Sequence, residues 1–202
     1  MRASALGARD RELLQGAEAV VGVDEVGRGA LAGPLVVCAV RLTSIPSDGG
    51  IRDSKTMTPR QREAAADRLR AVGVRWALCE IGVEVIDRIN ILEATRRGMR
   101  AAALAVATSS SVVVTDHLDP GDLGCTVLSP TAADRLYFSV AAASIIAKVH
   151  RDRLMVELAR RDPRWGWERN KGYGTAAHRT ALDTWGPGPH HRLSFTWSPV
   201  LP

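Results

Sequence analysis

Two short β-branched runs that each lead into acidic residues constrain the fold most strongly. Residues 20–23 lead directly into Asp24 and Glu25, and residues 112–114 stop one residue before Asp116. Apolar runs of this length predict buried strands of an α/β sheet. Because open α/β sheets place ligand sites at strand ends, we expect the two strands to lie side by side and bring their carboxylates together.

The rest of the chain alternates between strand and helix patterns. Residues 34–42 are a second β-branched run, and only a Gly-rich turn separates them from the first, so we expect a hairpin. Thr58 and Gln61 have the spacing of a capping box, which begins a helix expected to run to about Val72. Further predictions are a strand at 74–85 and helices at 91–107 and 140–160.

The charge balance favours a polyanionic partner. The 202 residues suffice for one main domain, and 27 Lys and Arg against 22 Asp and Glu give a formal charge of +5. A basic chain that still gathers carboxylates at one place suits a nucleic acid handled through metal ions, because bare carboxylates repel phosphates. The alternative is that the excess of Arg only reflects the base composition of an Arg-rich genome.

Cysteine usage and hydropathy indicate the compartment. Cys38, Cys79 and Cys125 are odd in number and widely spaced, so neither a disulfide framework nor a structural zinc site is predicted. No apolar stretch approaches the length of a membrane span, and residues 1–18 lack the apolar centre of a signal peptide. We expect a cytoplasmic protein without membrane association.

Four acidic residues are candidate metal ligands: Asp24, Glu25, Asp116 and Asp134. Mg²⁺ prefers oxygen ligands, and a hydrolytic site with two ions needs three or four carboxylates that converge from different elements. Taken singly, each Asp also fits a solvated surface group or a helix cap. The positions of Asp24 and Asp116 after buried runs favour the metal site.

Glycine-flanked residues are candidates for contacts with a nucleic acid. Gly27 and Gly29 remove side chains where a sugar-phosphate backbone can lie against peptide amides, and Arg28 adds a charged donor. Tyr173 stands between two glycines, where it can stack on a base or a sugar. The alternatives are a tight turn for the first group and a core position for Tyr173.

Two smaller features complete the candidates. Ser54 and Lys55 precede the capped helix and offer a hydroxyl and an ammonium group to a phosphate near a helix N-terminus. The five histidines show no metal-ligand spacing. His117 is of interest because it follows Asp116, whereas His190 and His191 are expected in an exposed tail.

Five segments, in order, resemble type 2 ribonuclease H, the bacterial ribonuclease HII family. The first is 22–34, with the sequence GVDEVGRGALAGP, and the fourth is 141–153, with the sequence AAASIIAKVHRDR. The others are 53–55, 90–95 and 172–175, and the likeness spans roughly 20–197. The first and fourth segments together are highly specific for the family.

The resemblance implies a fold and a domain organisation. The fold is α/β, a ribonuclease H-like mixed five-stranded sheet flanked by helices, with a small helical C-terminal extension. We expect a loosely ordered or helical leader at 1–18, a catalytic domain at 19–161, and a C-terminal helical cap and tail at 162–202.

The resemblance also implies roles for single residues. Asp24, Glu25, Asp116 and Asp134 match the four metal ligands of the family, which would hold two Mg²⁺ or Mn²⁺ ions. The loop of Gly27, Arg28 and Gly29 matches the one that senses the ribose 2′-hydroxyl at an RNA-to-DNA junction, and Tyr173 matches the tyrosine that packs on the neighbouring deoxyribose. Phosphate contacts are assigned to Ser54, Lys55 and Lys148.

Some positions depart from the family pattern. His117 stands where glycine usually follows the third acidic ligand, and the loop 117–133 is atypical. Ala132 lies near a position that is often basic, and Thr56 replaces a frequent second lysine. Weaker phosphate binding than usual is therefore expected.

The implied activity is endonucleolytic cleavage of RNA in RNA/DNA hybrids and incision on the 5′ side of single ribonucleotides in duplex DNA. Two-metal hydrolysis would leave a 3′-hydroxyl and a 5′-phosphate, and the enzyme is expected to act as a monomer. Two alternatives stay open: a non-catalytic module that binds hybrids, and a DNA nuclease built on the same fold. The sequence does not identify protein partners.

Overall fold

The computed structural model describes residues 6–46, 50–51 and 54–196. Asp53, which begins the segment 53–55, lies outside these described residues. Both termini of the chain do so as well.

The described residues form a mixed five-stranded sheet, as expected. The strands are β1 (Ala19–Val26), β2 (Leu35–Leu42), β3 (Arg75–Ile81), β4 (Ser111–Thr115) and β5 (Thr126–Leu128). Their order is β3-β2-β1-β4-β5. The β1–β2 and β2–β3 pairs are antiparallel, and the β1–β4 and β4–β5 pairs are parallel.

Helices connect and flank these strands. They are α1 (Ala8–Leu13), α2 (Pro59–Ala71), α3 (Val83–Ile89), α4 (Ile91–Leu104), α5 (Ala133–Leu136), α6 (Phe138–Arg161), α7 (Trp167–Asn170) and α8 (Ala176–Trp185). Short 3-10 turns occur at Ser54–Thr56 and Pro163–Trp165. None of the helices in the described ranges is long and apolar enough to cross a membrane.

Local sequence signals account for several boundaries. The predicted capping box begins α2, with the Thr58 side chain accepting from Gln61 N and the Gln61 side chain accepting from Thr58 N. The predicted strand at 74–85 was too long, because β3 ends at Ile81 and Gly82 is the N-cap of α3. A short stretch of Val and Ile residues fits a strand and a single helical turn equally well, so it does not mark where β3 ends and α3 begins.

Alternating residues of β2 build a core on each face of the sheet. Val36, Cys38 and Val40 pack in the cluster that contains α2 and α6 residues, whereas Val37 and Ala39 pack with α4. This is the period-two pattern of a strand buried on both faces.

Helix α6 lies close against β1. A Cβ atom added at Gly22 would be 2.1 Å from the backbone carbon of Ser139, so a side chain there is excluded. Asp10 of α1 is fully buried and accepts hydrogen bonds from the backbone N–H groups of Phe138 and Ser139. A residue of the leader thus accepts hydrogen bonds from the free backbone N–H groups at the N-terminus of α6.

The segment after α6 packs on that helix and on the loop that follows β1. Trp165, Trp167 and Leu182 form an apolar cluster with Leu31 and other buried residues, among them Ala32, Met155 and Ala159. This cluster fixes one wall of the cleft described next.

Candidate metal and nucleic-acid site

The parallel register of β1 and β4 brings the predicted carboxylates to one edge of the sheet. Val23 pairs with Thr115, so Asp24 and Asp116 are the next residues along neighbouring strands. Asp24, Glu25 and Asp116 all line one cleft. The expectation that these two strands lie side by side is confirmed.

The cleft is polar and gathers most of the sequence candidates. Its lining comprises Asp24, Glu25, Val26, Gly27, Arg28, Gly29, Ser54, Lys55, Arg62, Asp116, Ser144, Lys148 and Tyr173. Opposite signs of charge therefore share one surface, with carboxylates at the strand ends and cationic side chains around them.

Burial and crowding destabilise the anionic forms of the first two carboxylates. Asp24 is only 8% exposed, and its burial, followed by the nearby Glu25, raises its pKa well above the usual value, although a hydrogen bond from Ser144 opposes the shift. Burial also raises the pKa of Glu25, against the opposing charge of Arg28. Groups perturbed in this way by burial and like charge are typical of functional sites.

Glu25 has an oxygen without a hydrogen-bond partner. Its Oε2 is buried and unpaired within the described ranges, while its Oε1 lies 3.7 Å from a guanidinium nitrogen of Arg28. An unpaired buried carboxylate oxygen is costly unless something else satisfies it. The donor chemistry therefore fits a hard cation.

The carboxylates do not form a closed ligand set as they stand. Within the part of the chain that the structure describes, no group of three or more His, Cys, Asp or Glu side chains is arranged so that it could hold a metal ion. Successive strand residues alternate between faces, so Asp24 and Glu25 approach the cleft from opposite sides of the sheet.

Asp134 occupies a different position from the other three. It is 2% exposed on α5, and its Oδ2 lies 3.1 Å from the Nζ of Lys55. Lys55 lines the cleft, whereas Asp134 is not among the lining residues. Asp134 is nevertheless connected to the cleft, because Asp116 Oδ1 accepts a hydrogen bond from the N–H of Ala133, the residue before Asp134.

His117 has a strained backbone. Its φ is +65°, in the left-handed region that favours glycine, and Ala132 is in the same region with φ of +57°. The His117 N–H donates to the carbonyl of Pro130. The atypical loop thus keeps a conformation that suits glycine even though histidine is present.

The two loop glycines differ in what surrounds them. Gly27 has φ of +94°, and an added Cβ would be 2.1 Å from Nε of Arg151, so only glycine fits. At Gly29, apart from its own chain neighbours, no described atom lies within 4 Å of an added Cβ. Gly27 is therefore required by the fold, and Gly29 leaves open space facing the cleft.

Two buried arginines hold this loop, and sequence reasoning missed their role. Arg151 donates to the carbonyls of Ala32, Pro34 and Lys171. Arg192 donates to the carbonyls of Arg28 and Gly33. Burial, with the neighbouring Arg151, lowers the pKa of Arg192 to about 9, so it stays charged at neutral pH.

Tyr173 lies at the cleft rather than in the core. It is half-buried, and its ring centroid lies 5.8 Å from the Nζ of Lys148 and 5.4 Å from the Cζ of Arg151. Lys148 also pairs with Asp152 at 2.6 Å. Ser54, at the far side, hydrogen-bonds through its hydroxyl to the Ser144 hydroxyl at 2.9 Å.

One prediction about the histidines was wrong. His190 is exposed, but His191 is only 2% exposed and packs against Trp165 and Trp167 instead of lying in an exposed tail. No periodic pattern of apolar residues marks His191 as buried, because the residues that cover it are distant from it in sequence.

Comparison with known proteins identifies the family. A family model described as Ribonuclease HII matches residues 21–197. The chain belongs to the ribonuclease HII family. Ribonuclease HII of Paramagnetospirillum magneticum is 46% identical over 180 residues, covering 87% of this chain and 89% of that protein.

Solved structures of ribonucleases HII agree with this assignment. The enzyme in a PCNA:RNase HII complex from Archaeoglobus fulgidus superposes with a TM-score of 0.73 at 27% identity, covering 86% of this chain and 92% of that one. Ribonuclease H2 from Pyrococcus horikoshii gives a TM-score of 0.71 at 26% identity, covering 88% and 93%. The chain is therefore a metal-dependent ribonuclease, a hydrolase acting on phosphodiester bonds, with a ribonuclease H-like fold.

Proposed function

We propose that this member of the ribonuclease HII family cleaves the RNA strand of RNA/DNA hybrids and incises duplex DNA on the 5′ side of a single embedded ribonucleotide. The observation that carries the proposal is one cleft in which three carboxylates adjoin the Gly27–Gly29 loop and Tyr173. The proposed metal ligands and the groups proposed to sense the sugar would thus face the same bound strand.

The carboxylates Asp24, Glu25 and Asp116 would hold two divalent ions, Mg²⁺ or Mn²⁺, with Asp134 as the fourth ligand. Bound ions of this kind supply a water of lowered pKa as nucleophile and stabilise the leaving 3′-oxygen. The raised pKa of Asp24 and the unpaired Glu25 oxygen support this assignment, because a cation would relieve both. Asp134 would join by exchanging its contact with Lys55.

Recognition of the ribonucleotide would use the opposite wall of the cleft. The open space beside Gly29 admits a sugar-phosphate backbone against the peptide, and the Arg28 side chain is 42% exposed beside it. The 2′-hydroxyl is the group that distinguishes RNA from DNA at a given nucleotide. Tyr173 would pack on the adjacent deoxyribose and so favour an RNA-to-DNA junction.

Three polar side chains would bind flanking phosphates. Ser54, Lys55 and Lys148 line the cleft around the carboxylates. Lys148 is held by Asp152, which also lies 3.8 Å from Arg62, so its ammonium group is oriented before substrate arrives.

Cleavage of four labelled duplexes tests the proposal. The substrates are a DNA duplex with one ribonucleotide, an RNA/DNA hybrid, all-DNA and all-RNA, each with and without Mg²⁺ or Mn²⁺. We expect metal-dependent nicking of the first two only, leaving 3′-hydroxyl ends. Cleavage of all-DNA would indicate a DNA nuclease on the same fold, and salt-dependent binding without nicking would indicate a non-catalytic module.

Tyr173→Ala tests junction recognition separately. We expect incision at a single ribonucleotide to fall about tenfold more than cleavage of a long hybrid, as expected for loss of one aromatic stacking contact. Asp24 and its neighbours are unchanged in this variant, so metal binding serves as the control. Equal losses on both substrates would contradict a junction role.

A further inference from the structure

A buried pair of histidines lies behind Tyr173. His178 on α8 is fully buried and His191 is 2% exposed. Their Nε2 atoms are 3.1 Å apart. The rings are enclosed by the indoles of Trp165 and Trp167, which stack with a centroid separation of 5.0 Å.

The hydrogen-bond partners fix the tautomer of each ring. His191 Nδ1 lies 2.9 Å from the N–H of Gly188 and 3.3 Å from the Gly188 carbonyl; in the shorter contact Nδ1 accepts, which puts the proton of a neutral His191 on Nε2, pointing at His178. His178 Nε2 is therefore the acceptor, and it also accepts from the indole N–H of Trp167 at 3.2 Å. The proton of His178 must then be on Nδ1.

That Nδ1 proton reaches the backbone of the cleft tyrosine. His178 Nδ1 lies 3.0 Å from the carbonyl oxygen of Tyr173, which can only accept. The same backbone is bridged to Ala30, and the carbonyl of Gly172 accepts from the N–H of Leu31 at 2.8 Å. One chain of donors thus runs from Gly188 through both rings to the loop that carries Tyr173.

We propose that His178 is a positioning residue for Tyr173, which it holds through the hydrogen bond from its Nδ1–H to the Tyr173 carbonyl. The inference rests on the proposed junction role of Tyr173. The indole N–H of Trp167 and the N–H of His191 both point at Nε2 of His178, so they keep the proton of a neutral His178 on Nδ1, where it meets the Tyr173 carbonyl.

The surroundings of the pair favour the neutral forms. Charged and titratable groups that act on it are Arg179 on α8 and His190 on the final loop, and both oppose protonation. The other neighbours are indoles and backbone. Burial is the main cause that lowers the pKa of His178 and lowers that of His191 to about 4.

Nitrogen-15 NMR of the imidazoles in the full-length protein tests the network without a mutation. We expect His178 as the Nδ1–H tautomer and His191 as the Nε2–H tautomer at pH 7. The opposite tautomer of His178 overturns the proposal.

Two substitutions of His178 then test positioning. His178→Asn keeps an amide donor near the Nδ1 position, whereas His178→Leu removes it, and His190→Asn is the matched control at the exposed neighbour. For His178→Leu we expect faster amide hydrogen exchange at residues 172–174 and about a tenfold loss of single-ribonucleotide incision relative to hybrid cleavage, the size of one buried hydrogen bond. His178→Asn should recover most of that ratio.

The outcomes separate this inference from the proposed function. If exchange at 172–174 increases in His178→Leu but the ratio of the two activities is unchanged, His178 positions Tyr173 and the junction role of Tyr173 is wrong. If exchange is unchanged, or if His178→Asn and His178→Leu behave alike, the positioning role is wrong. Should His178→Leu not fold, the tautomers of the native protein and His178→Asn still decide it.

Discussion

The two walls of the cleft satisfy their polar groups in opposite ways. The carboxylate wall crowds Asp24, Glu25 and Asp116, raises the pKa of the first two and leaves a Glu25 oxygen unpaired. The recognition wall, which carries the Gly27–Gly29 loop and Tyr173, is held by donors of Arg151, Arg192 and His178 that each meet a backbone carbonyl.

This difference is what the proposed roles of the two walls require. A wall that binds metal ions has to hold negative charge that only a cation stabilises fully, so it is electrostatically unfavourable without one. A wall that measures a 2′-hydroxyl has to be rigid, because selectivity depends on distances fixed before the substrate binds. The following changes test whether the two walls behave so differently.

Asp24→Asn should have the largest effect on activity. Loss of this carboxylate is expected to reduce turnover by roughly 10³-fold, since metal-assisted stabilisation of the transition state amounts to several kcal/mol. The unfolding temperature without metal should rise, because a buried, crowded anion is removed. Near-normal turnover with Mg²⁺ or Mn²⁺ would show that Asp24 is not a metal ligand. Asp183→Asn, at an exposed position on α8, is the control.

Glycine substitutions should separate the fold from recognition on the opposite wall. Gly27→Ala combines an unfavourable φ with overlap on Arg151, and we expect it to lower the free energy of unfolding by about 2–4 kcal/mol. In Gly29→Ala the new methyl group meets no described atom within 4 Å other than its chain neighbours, so the variant should fold normally and lose affinity for hybrids. Chemical denaturation and binding of a labelled hybrid measure the two effects. If the two variants had similar free energies of unfolding, the inference that the recognition wall is rigid would be wrong.

Sequence reasoning succeeded where the cause is local or periodic. The capping box of Thr58, the β1–β2 hairpin and the adjacency of the strands carrying Asp24 and Asp116 follow from short patterns and from a general rule of α/β sheets. Asp134 was expected as a fourth metal ligand, which stays a prediction; its contact with Lys55 depends on side-chain positions that no pattern encodes.

The supports of the recognition wall were not predictable in this way. Arg151 was interpreted only as added positive charge on a helix, and His191 as part of an exposed tail. Both are buried, because chain segments more than a hundred residues apart meet behind the Gly27–Gly29 loop. Burial of a charged residue at such a meeting point depends on tertiary packing, and composition gives no signal for it.

The two walls should respond to pH with opposite signs. For Asp24 and Glu25 the folded pKa is raised, so their contribution to stability is complete below their unfolded pKa values and is lost as pH rises through the folded ones. For His178 and His191 the folded pKa is lowered, so stability is lost as pH falls below about 6.5, their ordinary value.

Thermal unfolding with and without metal measures the carboxylate contribution. We expect Mn²⁺ to raise the unfolding temperature by several degrees at pH 7.5 and by clearly less at pH 5.5, because protonated carboxyl groups bind metal poorly. In Asp24→Asn the increase should be much smaller at both values. If Mn²⁺ raised the unfolding temperature equally at both pH values, protonation of these carboxylates would not compete with metal binding.

His117→Gly should produce the smallest change, at the junction of the carboxylate wall with the atypical loop. The φ of +65° costs a non-glycine residue about 1 kcal/mol, while glycine loses more chain entropy on folding, so the free energy of unfolding should change by less than about 1 kcal/mol. Turnover should be unchanged if the imidazole takes no part in the reaction. A pronounced loss of turnover at normal stability would instead place His117 among the groups that act on the metal site, and the carboxylate wall would then include a residue that differs from the family pattern.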